Sequence, residues 1–593
     1  MKTPTSWLLW LVAFGVASSL AVEGAGERGL SQISPVAAKP AGTSRSSEYL
    51  GSEACAPCHR SIYNSYMKTD MGRSMTRPNA ALLAQIPISA SVFDTRLNRH
   101  FEVQLRNGDL YQTEYEQTAE GQEVFRQTEK IEWIIGAGEN GLGAIVRRGD
   151  YLFEAPLSYY AGVAQWKLSP GYEYGDYGFS RPVLAGCVVC HSGRPRLLSE
   201  REARFREPPF EQLGIGCENC HGPGAAHVLE QQANPASAGS SSIVNPARLT
   251  PWLADNICML CHQTGQARVL HPGRQYGDFR PGSQLDKTLS IFQIPFGRSA
   301  PPKDDLLEHY LSMRLSKCYR MSGGKLSCIS CHDPHVQPGS EEAPSYFREK
   351  CLNCHKLSGC NASVEARQST NPPDNCIGCH MPKRNLATIS HSALTNHRIV
   401  STADEPFPAA AYEMASPALP GLVHLSREPG KTEETPPLVL LRAYRQAMLV
   451  DPSYRERYWG LGRQLASAQP HDLAVLQALT DIALQRKDKE SVYAAIGHLK
   501  QIVAQPGAEV TDFMLLAQLY ASTGHLDDSV RTLGQGIERF PYNPDLYRFL
   551  GKAYSPTGQN SKACAILSRA EHLFPQYDDF RTALNRCGQP PNP

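Results

Sequence analysis

Charge of either sign is almost missing as an imbalance: 59 Lys and Arg meet 58 Asp and Glu, for a formal net charge of +1 across 593 residues. Such a balance gives no electrostatic reason to bind nucleic acid or an acidic surface. Beyond the N-terminus there is no run of about 18 uninterrupted apolar residues, so no later segment is predicted to cross a membrane. No cysteine precedes Cys55, which excludes a lipid-bearing cysteine at the junction of an export signal. No group of carboxylates and bases reads as an acid–base cluster.

The first residues, MKTPTSWLLWLVAFGVASSLAVEGAG, place one Lys before an apolar run from Trp7 to Val16, followed by small residues. This order predicts a secretory signal over 1–21, cleaved after Ala21, and the run is short for a membrane span. Residues 22–48, rich in Ala, Ser, Gly and Pro, are expected to form a disordered leader. The expected location is the periplasm or the cell exterior, with no integral membrane segment after signal removal.

Cysteine is plentiful instead, with 18 Cys beside 19 His, and fourteen of the cysteines obey one grammar. The triplets are Cys55/Cys58/His59, Cys187/Cys190/His191, Cys217/Cys220/His221, Cys258/Cys261/His262, Cys328/Cys331/His332, Cys351/Cys354/His355 and Cys376/Cys379/His380. A shuffled chain would contain about 0.02 such matches. A Cys-x-x-Cys pair can bind zinc, form a redox disulfide or, with a following His, accept a covalent haem. On a helical turn, positions i, i+3 and i+4 share one face, so two thiols can hold a porphyrin while the imidazole reaches its iron. Zinc would need four tetrahedral ligands, which a His fused to a Cys supplies poorly. Seven covalent haem c groups are therefore expected.

Each iron needs a sixth ligand or stays open. The histidines outside the motifs, up to Val400, are His100, His227, His271, His309, His335, His391 and His397. His227, His309, His335, His391 and His397 are expected to ligate haems of neighbouring motifs, because an imidazole so near its own motif cannot reach round to the far side. His100, in a predicted hairpin, and His271, in a predicted loop, are equally well read as ordinary side chains. The first motif stands apart, with Met71 and Met75 downstream and no histidine before His100, so its iron must take a sulfur ligand, borrow a distant histidine or stay five-coordinate, and it is expected to be the exception.

The fold class expected is mainly α: a haem-cored cytochrome over 49–403 and a helical solenoid over 437–593, joined by a linker at 404–436. Residues 92–165 are expected to form a small β insertion, since Phe101, Val103 and Leu105 alternate with polar residues and Asn107-Gly108 suits a tight type I′ turn. After Pro437, Leu516, Tyr520, Gly524, Phe540 and Pro541 recur 34 residues later as Leu550, Tyr554, Gly558, Phe574 and Pro575, the period of tetratricopeptide helix pairs. About four such units are expected, with a surface for a peptide or partner protein.

The stretches GCENCHGPGAAH, SGGKLSCISCHDPH and CIGCHMPKRN with TNHRI resemble the multihaem c-type cytochrome superfamily that includes cytochrome c nitrite reductase and hydroxylamine oxidoreductase, most closely its cytochrome c554-like members with C-terminal tetratricopeptide repeats. The resemblance implies a mostly helical, haem-cored fold and an exported redox protein. It leaves the activity open, since members range from electron carriers to nitrogen-compound enzymes. The Cys-x-x-Cys-Lys typical of the nitrite reductases is absent, and no tyrosine matches the one that hydroxylamine oxidoreductases crosslink to haem. The expectation is thus an electron carrier between redox partner proteins. The alternatives are an oxidoreductase acting on a small nitrogen or sulfur compound at one five-coordinate haem, and a scaffold whose repeats are primary. Of the four remaining cysteines, Cys564 and Cys587 fall in successive predicted helices and are expected to form a disulfide on the last repeat; Cys318 and Cys360 are expected to pair near the fifth and sixth motifs.

Overall fold

The computed structural model describes residues 48–199, 202–234, 242–297, 308–356, 359–385, 393–402, 404–412 and 421–587. The signal and nearly all of the leader expected from the sequence, and His391, lie outside the described residues.

Among the described residues helix outweighs strand, but the sheet is far larger than the small insertion expected of a mainly α chain. The chain's largest element is a twelve-stranded antiparallel sheet. Eight strands form its path: β1 (Ser89–Asp94), β2 (Arg99–Arg106), β3 (Asp109–Gln117), β4 (Glu123–Ile135), β5 (Gly141–Arg148), β6 (Tyr151–Glu154), β7 (Arg194–Ser199) and β8 (Arg204–Gln212), in the spatial order β7-β8-β6-β5-β4-β3-β2-β1. The alternation read from the sequence sets the faces: Phe101 and Val103 of β2 are fully buried against Leu110, Ile131 and Phe153. The β2–β3 turn is the tight one expected, with Asn107 and Gly108 both at positive φ (53° and 86°) and Arg106 paired with Asp109. The sheet exceeds residues 92–165 at both ends. Met75–Thr76 pairs with β4, and β7 and β8 bring in residues beyond the second motif.

A second sheet joins β9 (Ala267–Leu270), β10 (Leu289–Gln293) and β11 (Val423–His424). Its third strand comes from the segment expected to be a linker, where Leu425 and Ala411 are also fully buried. The described part of that segment therefore contributes to the core.

Among the described residues, nine α-helices follow: α1 (Pro437–Val450), α2 (Arg455–Leu465), α3 (Leu473–Arg486), α4 (Lys489–Val503), α5 (Val510–Ser522), α6 (Leu526–Arg539), α7 (Pro544–Tyr554), α8 (Asn560–Leu573) and α9 (Asp578–Cys587). They make four antiparallel pairs and a closing helix, as the 34-residue period predicts. Leu516, Leu550 and Phe574, three of the recurring positions, are buried in one continuous cluster. Both ends of the solenoid are anchored. At the start, Val439 and Ala443 pack on Ala267, Val269 and Phe292, while Gln446 exchanges hydrogen bonds of 2.8 and 3.2 Å with the backbone of Arg268. At the end, the Tyr542 ring meets Tyr151 and Phe153 edge-on at 5.1 and 5.0 Å, and Arg539 pairs with Glu202 at 2.6 Å.

Cys564 of α8 and Cys587 of α9 are disulfide-bonded, their Cα atoms 5.8 Å apart. Cys318 and Cys360 are both free thiols, so the second expected disulfide is absent. Cys318 lies instead beside the motif thiols Cys331 and Cys354, and Cys360 beside Cys376. The Cys564–Cys587 bridge closes a 23-residue separation. Opening it by Cys587→Ala is expected to cost the last repeat about 3 kcal/mol by the chain-entropy model, read as a lower denaturant midpoint for the solenoid and faster amide exchange in α9.

Candidate functional site: seven thiol–imidazole motifs

The local rule that builds each motif is one turn of helix. Helices Ala185–His191, Cys217–His221, Pro251–His262 and Cys376–His380 contain or end on their motif histidine. In the first, fifth and sixth motifs the histidine amide donates to the carbonyl of the first cysteine at 2.9 to 3.0 Å (His59 to Cys55, His332 to Cys328, His355 to Cys351). Either way the two sulfurs and the imidazole lie on one side of the turn.

The histidines outside the motifs supply the second observation. The rings of His59 and His227 face one another with centroids 6.4 Å apart and planes 20° from parallel; His221 and His335 do so at 5.9 Å and 17°. His332 and His397 lie at 6.1 Å and 32°, and His262 and His309 at 5.3 Å and 74°. Two imidazoles that each bind one metal ion through nitrogen at about 2 Å have centroids roughly 6 Å apart, a separation that these pairs approach. His309 also approaches His397, at 4.6 Å.

Hydrogen bonds set which ring nitrogen is free. Nδ1 of His221 contacts the carbonyl of Val244 at 2.7 Å, Nδ1 of His380 that of Val400 at 2.7 Å, and Nδ1 of His397 that of Thr395 at 2.9 Å; Nδ1 of His335 meets the Asp333 carboxylate at 3.0 Å. Each of these bonds engages Nδ1 and leaves Nε2 free, the arrangement that orients imidazoles for ligation. Burial pushes His191, His221, His262 and His397 below the usual imidazole range, and His309 to about 3. Neutral imidazole is the ligating form.

Each of these pairs joins the histidine of one motif to a histidine lying just before or beyond another, and the first motif has such a neighbour too. His227, just after the third motif, faces His59, and Met75 is buried in the sheet beside Trp133. His100 and His271 are not in the pairs. His100 lies between Phe93 and Tyr115, with centroids at 4.6 and 4.9 Å, and His271 places Nε2 on Ser290 Oγ at 2.8 Å. Among the described residues no second imidazole faces His191, His355 or His380.

The motifs also touch through their thiols. Cys55 lies within hydrogen-bonding reach of Cys217, Cys190 of Cys261, and Cys258 of Cys328. Charge on Cys258 is felt at Cys220, on Cys354 at Cys331, and on Cys376 at Cys351. Carboxylates that no sequence pattern marks tie the elements together. Asp255 accepts from the Cys328 amide at 2.9 Å, and Glu308, next to His309, accepts from Gln263 Nε2 at 2.6 Å and the Gly265 amide at 3.0 Å. Among the described residues no three His, Cys, Asp or Glu side chains converge as a metal-binding group of their own, and no helix is long and apolar enough to cross a membrane.

No protein-family model matches the chain. Among solved structures, it is similar to a thermophilic tetratricopeptide protein of Thermus thermophilus (19% identity, 26% of this chain and 81% of that one, TM-score 0.20) and to MamA of AMB-1 (20% identity, 24% and 85%, TM-score 0.21). In sequence it is 22% identical over 245 residues to the C-type polyheme cytochrome OmcB of Geobacter sulfurreducens, in two strains of that organism. That match covers 37% of this chain and 30% of OmcB, so the chain spans under a third of the length of the curated relatives it is similar to.

Proposed function

We propose that the chain is an exported c-type cytochrome with seven covalent haems, one at each Cys-x-x-Cys-His motif, and that it carries single electrons between redox partner proteins. The observation that carries this reading is the set of neighbouring imidazoles, each pairing one motif histidine with a histidine outside the motifs. When bound, haem c supplies one-electron iron chemistry whose potential follows axial ligand, burial and hydrogen bonding. The protein's own part is to hold and space the groups. Cys55, Cys58, Cys187, Cys190, Cys217, Cys220, Cys258, Cys261, Cys328, Cys331, Cys351, Cys354, Cys376 and Cys379 would make the thioether links. His59, His191, His221, His262, His332, His355 and His380 would be the near ligands, and His227, His309, His335 and His397 the far ones, with His391 assigned to one of the remaining three irons.

Contacts between motifs order the seven positions. The first motif packs on the third, the fourth on the second and the fifth, the fifth on the sixth and the sixth on the seventh, while Cys220 of the third feels the charge of Cys258 of the fourth. That order supports a wire with its ends at the first and seventh motifs. The solenoid, anchored at both ends, would offer its remaining surface to a partner protein or peptide. Reductive titration with optical detection is expected to take up seven electrons per chain. Denatured, unreduced protein should titrate two thiols, Cys318 and Cys360. More than four thiols would contradict seven occupied motifs, since only four cysteines lie outside them.

A second reading, an oxidoreductase for a small nitrogen or sulfur compound, is favoured by one observation. His191 is exposed and has no facing imidazole among the described residues, and Cys190 lines a cleft of about 230 Å³ with Thr264, Gln266, Arg268 and Gln446. Turnover of nitrite, hydroxylamine or tetrathionate with an artificial donor or acceptor would favour it over the carrier.

A further inference from the structure

In the His59–His227 pair the outer ligand lacks an Nδ1 anchor: His227 Nδ1 is buried with no hydrogen-bond partner, whereas His221, His335, His380 and His397 each have one. Something other than a ring hydrogen bond must place it. Glu218, an intervening residue of the third motif and 5% exposed, does so from the backbone side. Its carboxylate accepts from the amides of Leu50 (3.0 and 3.2 Å) and Gly51 (2.8 Å), which lead into the first motif. It also accepts from the amide of Gly224 at 2.7 Å, directly before the helix Ala225–Ala233 that carries His227. The turn between them needs Gly222, at φ 79°, to reverse the chain. One buried carboxylate therefore grips both segments that bring the two imidazoles face to face.

We propose that Glu218 is a positioning residue for the first iron, although it belongs to the third motif. This rests on the haem reading above. Charge-assisted hydrogen bonds to backbone amides are among the stronger ones, and their loss frees both the entry to the first motif and the start of the His227 helix. The cysteines and histidine of the third motif keep their own turn, and His221 keeps His335 opposite, so the effect should be confined to one iron. Glu308 repeats the design next to His309, gripping the residues that follow His262.

The test uses the full exported chain carrying Glu218→Gln, in which an amide nitrogen replaces one acceptor oxygen, and Glu218→Ala. Low-temperature electron paramagnetic resonance and carbon monoxide uptake by the reduced protein are the readouts. Both variants are expected to keep the wild-type haem count while gaining a high-spin signal and carbon monoxide binding of up to one iron per chain, alanine more than glutamine. On a His227→Ala background, already open at the first iron, Glu218→Ala should add nothing further. Unchanged spectra and uptake overturn the proposal, as does a second open iron in the double variant, which would place the effect at the third motif. If the alanine variant fails to acquire its haems, the glutamine variant decides by the same criteria. A wild-type chain with no low-spin iron would sink the haem reading itself, an outcome independent of any change at Glu218.

Discussion

Replacing Arg99 by alanine is expected to loosen the last repeats from the sheet, at a cost of about 3–5 kcal/mol. Arg99 is almost fully buried, and its guanidinium faces three carboxylates: Glu116 at 2.8 Å, Asp176 at 3.3 Å and Glu114 at 3.8 Å. It also donates to the backbone carbonyl of Gln576, between α8 and α9, at 2.7 Å. Arg581 of α9 reaches Glu116 at 3.9 Å, and Tyr577 donates its hydroxyl to the Asp176 carbonyl at 2.8 Å. Removing Arg99 leaves the acids buried without their nearest cation, which costs far more than a surface pair. Differential scanning calorimetry and limited proteolysis between sheet and solenoid read the effect; a loss below about 1 kcal/mol, the scale of an exposed pair, would contradict it.

The same junction has a pH dependence of defined sign. Burial, then the neighbouring Asp176 carboxylate, hold Glu114 well above the usual carboxylate range against the opposing pull of Arg99. The folded state thus keeps a proton that the unfolded chain releases above its ordinary value near 4.5. Stability is therefore greatest below that pH and falls as pH rises toward the folded-state value. Glu114→Gln should flatten this slope and stabilise the junction at neutral pH.

His335→Ala is expected to have the largest effect at the site. His335 leaves the fifth motif, is steered by Asp333 and faces His221 of the third. The alanine variant should bind one more carbon monoxide per reduced chain than wild type and show one more high-spin iron, with a shifted potential at that position. The third motif packs on the first and its Cys220 feels the charge of Cys258 of the fourth, so the change would fall in the interior of the proposed wire, and electron delivery from one end to the other should slow. His100→Ala, which removes a ring lying between Phe93 and Tyr115, should leave uptake at the wild-type level.

Features that rest on local chemistry were legible in the sequence. The motifs, the Asn107-Gly108 turn, the 34-residue period and the Cys564–Cys587 bridge each depend on residues close in the chain or in adjacent helices. That a histidine just past one motif lies by the histidine of another was also legible, because it cannot double back to its own. Which neighbour it reaches was not: His59 and His227 are brought together by long-range contacts such as those of Glu218 with Leu50 and Gly51. Strands β7 and β8 escaped because RPRLLS and RFREPPFEQ carry Pro and charge where alternation would signal a strand. The segment around Val423 escaped because a two-residue strand takes its stability from its partner, not from its composition.

The most direct test is the intact mass of the denatured, purified protein from a host competent in c-type cytochrome maturation, measured together with its iron content. Seven haem masses retained covalently on the polypeptide, with seven irons, is the expected result. A bare polypeptide mass, a smaller number of adducts, or zinc in place of iron would contradict it.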